Sequence, residues 1–392
     1  MNANILKSEV QKFIKANLKN DLTKLILKGS PFDSVSIQEI AQQIEGTNKS
    51  EKKLATWFET EHIIFPKKLN LEQTSSEITA QYKADLIHGN SIIDLTGGYG
   101  VDCYYFSKKF DSVIHCEMNE ELSNIVTHNN QHLGVKNIET IQGNSLEHLQ
   151  TINEKIDWIY VDPSRRNDAK GKVFLLQDCL PNLPENIDFL FEKTDNILIK
   201  NSPILDITST INELKFVKEI HVIAVQNEVK ELLLILEKGF NGIIQIKTIN
   251  IQKTNKQIFE FELGPCTKPS YELPLNYIYE PNSAILKSGG FDQLAKDLEI
   301  SKLHQHTHLY TSDEMLDNFP GRKFKIEKTL PYNKKEILRH LPEKKANITI
   351  RNFPETVAQI RKKTKIKDGG SDYLFFTTNI HDEKQVLVCK KI

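Results

Sequence analysis

No apolar run in the 392 residues approaches the ~20 that a bilayer-spanning helix needs, so no membrane span is expected. The opening segment, MNANILKSEVQKFIKANLKNDL, interrupts its apolar positions with charge and lacks the unbroken centre of a secretory signal. Cysteine is scarce. Cys103, Cys116, Cys179, Cys266 and Cys389 are scattered, odd in number and never spaced as CxxC. Neither a zinc ribbon nor a thioredoxin motif is supported, no metal is expected, and reduced thiols in a cytoplasmic protein are the simplest reading. There is no internal repeat and no low-complexity tract. What is present, 39% apolar and 26% charged residues, is ordinary for a globular chain of two or three domains.

The net charge of −1 conceals an asymmetry. Arg322 to Ile392 carries 18 Lys+Arg against 8 Asp+Glu, a net +10, and the rest of the chain carries −11. A basic C-terminal module on an acidic body is a nucleic-acid footprint, or a solvated Lys-rich surface.

Helical spacing of Ile14, Leu18, Leu22, Leu25 and Ile26 opens the chain, and Ser36 with Glu39 forms a capping box before IQEIAQQI. Thr74 with Glu77 reads as a second box, opening a helix through ITAQYKADLI. From Ser91 short apolar strands alternate with amphipathic helices: SIIDL, SVIHCE, IETIQG, IDWIYVD, NILIK, EIHVIAV and ELLLILE. That alternation predicts a mostly parallel sheet covered by helices. QNEVK is too short for a parallel crossover, so the last two strands should form an antiparallel hairpin. IIQIKTINI and KQIFEFEL follow as strands around a polar turn. Two compact α+β pieces are expected after them, near Tyr277–Phe319 and from Arg322 on. The expected divisions are a helical cap over 1–80, the parallel-sheet domain over 81–240, an α+β (ferredoxin-like) region over 241–321 and a basic domain over 322–392.

IIDLTGGYGVD places a glycine turn after a strand, and Glu117 ends the next strand, 23 residues beyond Asp94. This is a nucleotide-binding arrangement: glycines let a ligand approach the backbone, and the acid accepts ribose hydroxyls. A dinucleotide needs GxGxxG. Gly98 and Gly100 supply two glycines, but Cys103 stands at the third place and Asp102 sets a negative charge where a pyrophosphate would lie. S-adenosylmethionine has no phosphate and tolerates that acid.

LEQTSSEITAQYKADL, DLTGGYGVD, HCEMNEEL, YVDPSRR, IKNSPILD and FPGR together resemble a class I (Rossmann-like) S-adenosylmethionine-dependent methyltransferase of the bacterial group that ends in a THUMP-like domain. The resemblance implies an α/β fold whose seven-stranded sheet ends in an antiparallel hairpin, with S-adenosyl-L-methionine as cofactor. It implies that Asp94, Gly97, Gly98 and Gly100 wrap the methionine part and that Glu117 binds the ribose. Asn144 takes the place of an Asp facing the adenine amine, and Thr74, Ser75 and Ser76 fall where a segment closes over the cofactor carboxylate.

Asp162 and Pro163 match the first half of the [Asp/Asn]-Pro-Pro-[aromatic] motif of amino-methyltransferases, which orients an exocyclic amine for attack on the methyl group. The usual aromatic is replaced by Ser164, Arg165 and Arg166, and an arginine plane stacks on a base or holds a phosphate. Lys200, Ser202 and Asp206 end the following strand, either shaping the acceptor pocket or capping a loop. A cytosine-C5 mechanism would need a cysteine here, and Cys179 reads as structural. His115 reads as a half-buried strand residue. His304, His306 and His308 also read as structural, for lack of a neighbouring carboxylate or cysteine. Arg361, Lys362 and Lys363 lead a basic cluster with Lys365 and Lys367, suited to phosphate contacts. The expected function is methylation of a base in RNA (tRNA or rRNA). The alternatives are methylation of a small molecule or protein, and a non-catalytic RNA-binding protein that kept the fold.

Overall fold

A computed structural model describes residues 2–165 and 175–392. The chain forms two compact units: Met1–Val217 with Leu234–Asn241, and Lys218–Leu233 with Gly242–Ile392.

The first unit opens with helices α1 (Ser8–Asn17), α2 (Leu22–Lys28), α3 (Ile37–Lys53), α4 (Ala55–Glu59), α5 (Lys68–Gln73) and α6 (Glu77–Leu86). The Ser36–Glu39 capping box is present at the start of α3. The box expected at Thr74 is not. Thr74 instead ends α5, and Ser76 caps α6 by accepting from the Thr79 N–H. Glu77 is drawn away by tertiary partners, accepting from Thr56 N (2.7 Å), Thr56 Oγ1 (2.9 Å) and Tyr105 OH (2.8 Å).

Parallel strands β1 (Ser91–Asp94), β2 (Ser112–Glu117), β3 (Ile138–Gln142), β4 (Trp158–Val161) and β5 (Asn196–Asn201) follow, interleaved with α7 (Val101–Phe106), α8 (Glu120–His132), α9 (Ser145–Thr151) and α10 (Leu183–Lys193). Helix α11 (Ile207–Asn212) comes after β5. The strand order is β3-β2-β1-β4-β5, followed by β7 (Glu228–Glu237), whose Leu234–Glu237 end belongs to this unit. Ile93, Ile159 and Ile197–Ile199 are completely buried, as strands covered on both faces require. Because β1 lies between β2 and β4, the chain direction of the strand order reverses beside it. The crevice at the carboxyl ends of β1 and β4 is where such sheets bind ligands.

In the second unit β6 (Val217–Val225) and β7 form the expected hairpin. Gln226 and Asn227 both adopt positive φ (50° and 66°), the turn geometry whose twist matches paired strands. Strand β8 (Gln245–Ile251) runs parallel to β6, and β9 (Lys256–Glu262) runs antiparallel to β8.

The remainder builds a second sheet from β10 (Tyr277–Pro281), β11 (Ser301–Lys302), β12 (Tyr310–Ser312), β13 (Gly321–Pro331), β14 (Asn347–Arg351), β15 (Asp372–Thr378) and β16 (Lys384–Lys391), in the order β11-β12-β10-β13-β16-β15-β14. The stretches on either side of Phe319 share this one sheet, since β10 and β13 pair from Tyr277↔Lys325 to Pro281↔Gly321. Alternation splits β15 and β16 between two cores. Leu374, Phe376, Val386 and Val388 pack with Ile337 of α14 (Lys334–Arg339) and Ile360 of α15 (Val357–Thr364), while Phe375, Leu387 and Cys389 pack with Leu303, Leu309 and Phe324.

Candidate active site

Asp94 ends β1 fully buried. Its Oδ1 accepts from Thr96 N (2.8 Å) and Thr96 Oγ1 (3.1 Å), and its Oδ2 from Cys103 Sγ (3.3 Å). Burial pushes this carboxyl up to about 7, the charge of Asp102 adds to the rise, and the bonds from Thr96 and Cys103 oppose it.

The turn after Asp94 is pinned to β2. Gly97 N donates to Cys116 O (2.8 Å), and Gly98 N to Glu117 Oε2 (3.0 Å). Gly98 and Gly100 have φ of 55° and 77°, which favour glycine. His115 is fully buried rather than half-buried, its ring filling the space beside Gly97 with Nε2 3.3 Å from Gly98 O. Burial lowers its pKa to about 4, so it packs as a neutral ring.

Glu117 Oε1 also accepts from Asn119 N (2.7 Å). Each carboxylate oxygen keeps a further lone pair for a hydroxyl donor. Met118, the next residue, is a large apolar side chain 73% exposed, which the sequence reading did not single out. Asn144 caps α9: its Oδ1 accepts from Leu146 N (3.1 Å) and its amide donates to Glu147 (2.8 Å).

Behind the turn lies an ionic cluster. Asp102, in the first turn of α7, faces the completely buried Lys83 at 3.2 Å and accepts from Ser75 Oγ (2.8 Å) and Tyr160 OH (2.9 Å). Lys83 also donates to Ser75 Oγ (3.1 Å). Burial alone would raise the Asp102 carboxyl, but Lys83, Lys200 and the two hydroxyls outweigh it and hold it below its ordinary value. Sequence reasoning missed Lys83 and Tyr160, although a signal existed. Lys83 interrupts the buried stripe Ala80, Ala84, Ile87, where a lysine must find an anion.

Asp162 and Pro163 follow β4. The Asp162 N–H donates to Thr96 Oγ1 (2.7 Å), and its Oδ2 accepts from Lys200 Nζ (2.5 Å). One threonine hydroxyl thus bridges the Asp94 carboxyl and the Asp162 backbone. Of the three polar residues expected after β5, Lys200 reaches Asp162. Ser202 and Asp206 serve local turns, with Asp206 capping α11. Ser164 and Arg165 pair with Leu180 and Cys179 in a two-stranded ribbon, which sets the buried Cys179 opposite the backbone of Arg165. Arg166 lies outside the described residues.

In the second unit, Arg361 donates to Ile366 O (3.1 Å) and Ala346 O (3.2 Å) and pairs with Asp368. Lys363 pairs with Glu355 (2.8 Å), and Lys362 is exposed. His304 accepts from the His306 N–H at Nδ1 and contacts Asp382, and His308 stacks on Phe291. Among the described residues no three His, Cys, Asp or Glu side chains are grouped to hold a metal ion, and no helix is long and apolar enough to cross a membrane.

Three family models match: an RNA cap guanine-N2 methyltransferase over residues 89–165, a ferredoxin-like domain over 277–320 and a THUMP domain-like module over 321–391. The crystal structure of a candidate methyltransferase from Porphyromonas gingivalis W83 is 31% identical, aligned over 99% of this chain and 98% of its own, with a TM-score of 0.89. The chain belongs to this family of methyltransferases ending in a THUMP-like domain. An rRNA methylase of Streptococcus thermophilus (16% identity, 42% of this chain, 98% of its own, TM-score 0.30) and the tRNA m1G37 methyltransferase of M. jannaschii (12%, 43%, 51%, 0.30) also match. No curated protein does. The family's methyltransferase fold, with its large, mostly parallel sheet, is the one anticipated from the strand pattern.

Proposed function

We propose that the protein is an S-adenosylmethionine-dependent methyltransferase acting on an exocyclic amine of a base in RNA. The observation that carries this reading is the Thr96 bridge, which holds the glycine turn and Asp162 on adjacent strand ends. The residues present suit the cofactor. A Cβ on Gly98 would meet only the Thr96 carbonyl, at 3.7 Å, so the backbone there is open to a ligand, and Glu117 stands beside it with acceptor capacity left. Asp94, Gly97, Gly98 and Gly100 would hold the methionine part, Glu117 the ribose and Asn144 the adenine edge. When bound, the cofactor supplies an electrophilic methyl group on a sulfonium.

The lone pair of an exocyclic amine is delocalised into its ring. Asp162 accepts an N–H bond from that amine and turns the lone pair toward the methyl group, so most of the catalysis is orientation. Ser164, Arg165 and Arg166 hold the substrate around it. RNA as the substrate is supported by the matches to an RNA methyltransferase and a THUMP-like model, and by the net +10 of residues 322–392. On this reading Arg361, Lys362 and Lys363 belong to the RNA-facing surface.

The test is tritium-labelled S-adenosylmethionine offered with total tRNA, ribosomal RNA, or a protein and small-molecule extract. Label should enter an RNA pool, and D162A should abolish transfer while leaving cofactor binding by calorimetry intact. Label confined to the extract would refute RNA. Full activity of D162A would remove Asp162 from its role.

A further inference from the structure

Asp162 is held at two points. Thr96 Oγ1 fixes its backbone N–H at 2.7 Å, and Lys200 Nζ fixes its Oδ2 at 2.5 Å. Lys200 rises from β5, which pairs with β4 up to Val161↔Ile199, so strand pairing itself brings it opposite Asp162. Its side chain is 11% exposed. Burial of the stem removes the freedom a lysine normally has and makes the contact a rigid one. The Asp162 side chain is 34% exposed, and its Oδ1 accepts no hydrogen bond among the described residues. One oxygen is pinned, and the other belongs to a partly exposed side chain and keeps its lone pairs.

We infer that Lys200 is a positioning residue for methyl transfer, pinning Oδ2 of Asp162 so that Oδ1 alone is presented to the acceptor nitrogen. This rests on the reading of Asp162 given above. A carboxylate without the pin turns about its side-chain bonds, and each turn removes the acceptor from line with the methyl group. Loss of orientation falls on kcat, because the substrate is gripped elsewhere.

The experiment is a double-substitution cycle on the full chain, with labelled S-adenosylmethionine and whichever pool the wild-type protein labels. K200M should lower kcat by about 100-fold, the cost of a misplaced reacting group, with KM and cofactor affinity unchanged. K200R, which still donates to Asp162, should recover part of the rate. K200M/D162N should be no slower than D162N alone, because the two residues act as one unit. Thermal melting checks folding, and K200Q replaces K200M in the cycle if K200M does not fold. Unchanged kcat in K200M, or losses that simply multiply in the double variant, would overturn the inference. Wild-type label in the extract alone would refute the RNA reading and leave the cycle to be read on that acceptor. A wild-type protein that labels no pool would remove the reaction both need.

Discussion

A Cβ on Gly97 would stand 2.3 Å from His115 Nε2, whereas one on Gly98 would meet nothing closer than the Thr96 carbonyl at 3.7 Å. The two neighbours are therefore glycine for different reasons. Gly97 makes room for a buried ring, and Gly98 keeps a left-handed turn open to a ligand. G97A should destabilise the protein by roughly 1–3 kcal/mol, as overpacking of a filled core does, and H115A should restore part of that loss. G98A carries a strain of roughly 1–2 kcal/mol, but its main effect should be loss of cofactor affinity, which H115A cannot rescue. Melting curves and calorimetry on the two single and two double variants separate these outcomes. Equal rescue of both by H115A would refute the division.

At the scale of elements, the junction of β1 with α7 brings two acids together and treats them oppositely. Asp102 has Lys83 and Lys200 and stays ionised, whereas Asp94 pairs with no cation among the described residues and is raised to about 7. A cationic cofactor favours the ionised form of Asp94. Its affinity should be greatest above pH 7 and should fall by about tenfold per unit below it, since one proton must then be released on binding. D94N should abolish the slope, and a flat affinity from pH 6 to 8 in the wild type would show that Asp94 does not meet the cofactor's charge. The strands of this junction were legible because SIIDL and IDWIYVD are short apolar runs ended by an acid. The hairpin was legible because QNEVK is too short for anything else. The lysine partners were less so, because α6 and β5 meet the acids only through tertiary packing. The Thr74 cap failed for the same reason: Glu77, which a local box would use, is taken by Thr56 and Tyr105. Glu39 keeps its bond to the Ser36 backbone although the Asn2 side chain also reaches it, and that box formed as the spacing indicates.

At the scale of the whole molecule, the basic C-terminal stretch is not a detachable tail. Strand β13 pairs with β10 on one side and β16 on the other, so removing residues 322–392 would strip the second sheet of its middle and say nothing about RNA. Substitutions on the surface ask the question cleanly. Arg361 is already engaged by two carbonyls and Asp368, and Lys363 by Glu355, whereas Lys362, Lys365 and Lys367 are exposed. If these three lysines neutralise phosphates, K362Q/K365Q/K367Q should weaken RNA binding at every sequence alike. It should also flatten the dependence of log affinity on log salt by roughly 2–3, given ~0.7–0.9 per phosphate contact. Melting temperature and cofactor affinity should not move, because none of the three side chains is buried. An unchanged salt slope would mark them as a solvated face, and the positive charge of this unit would then need another purpose.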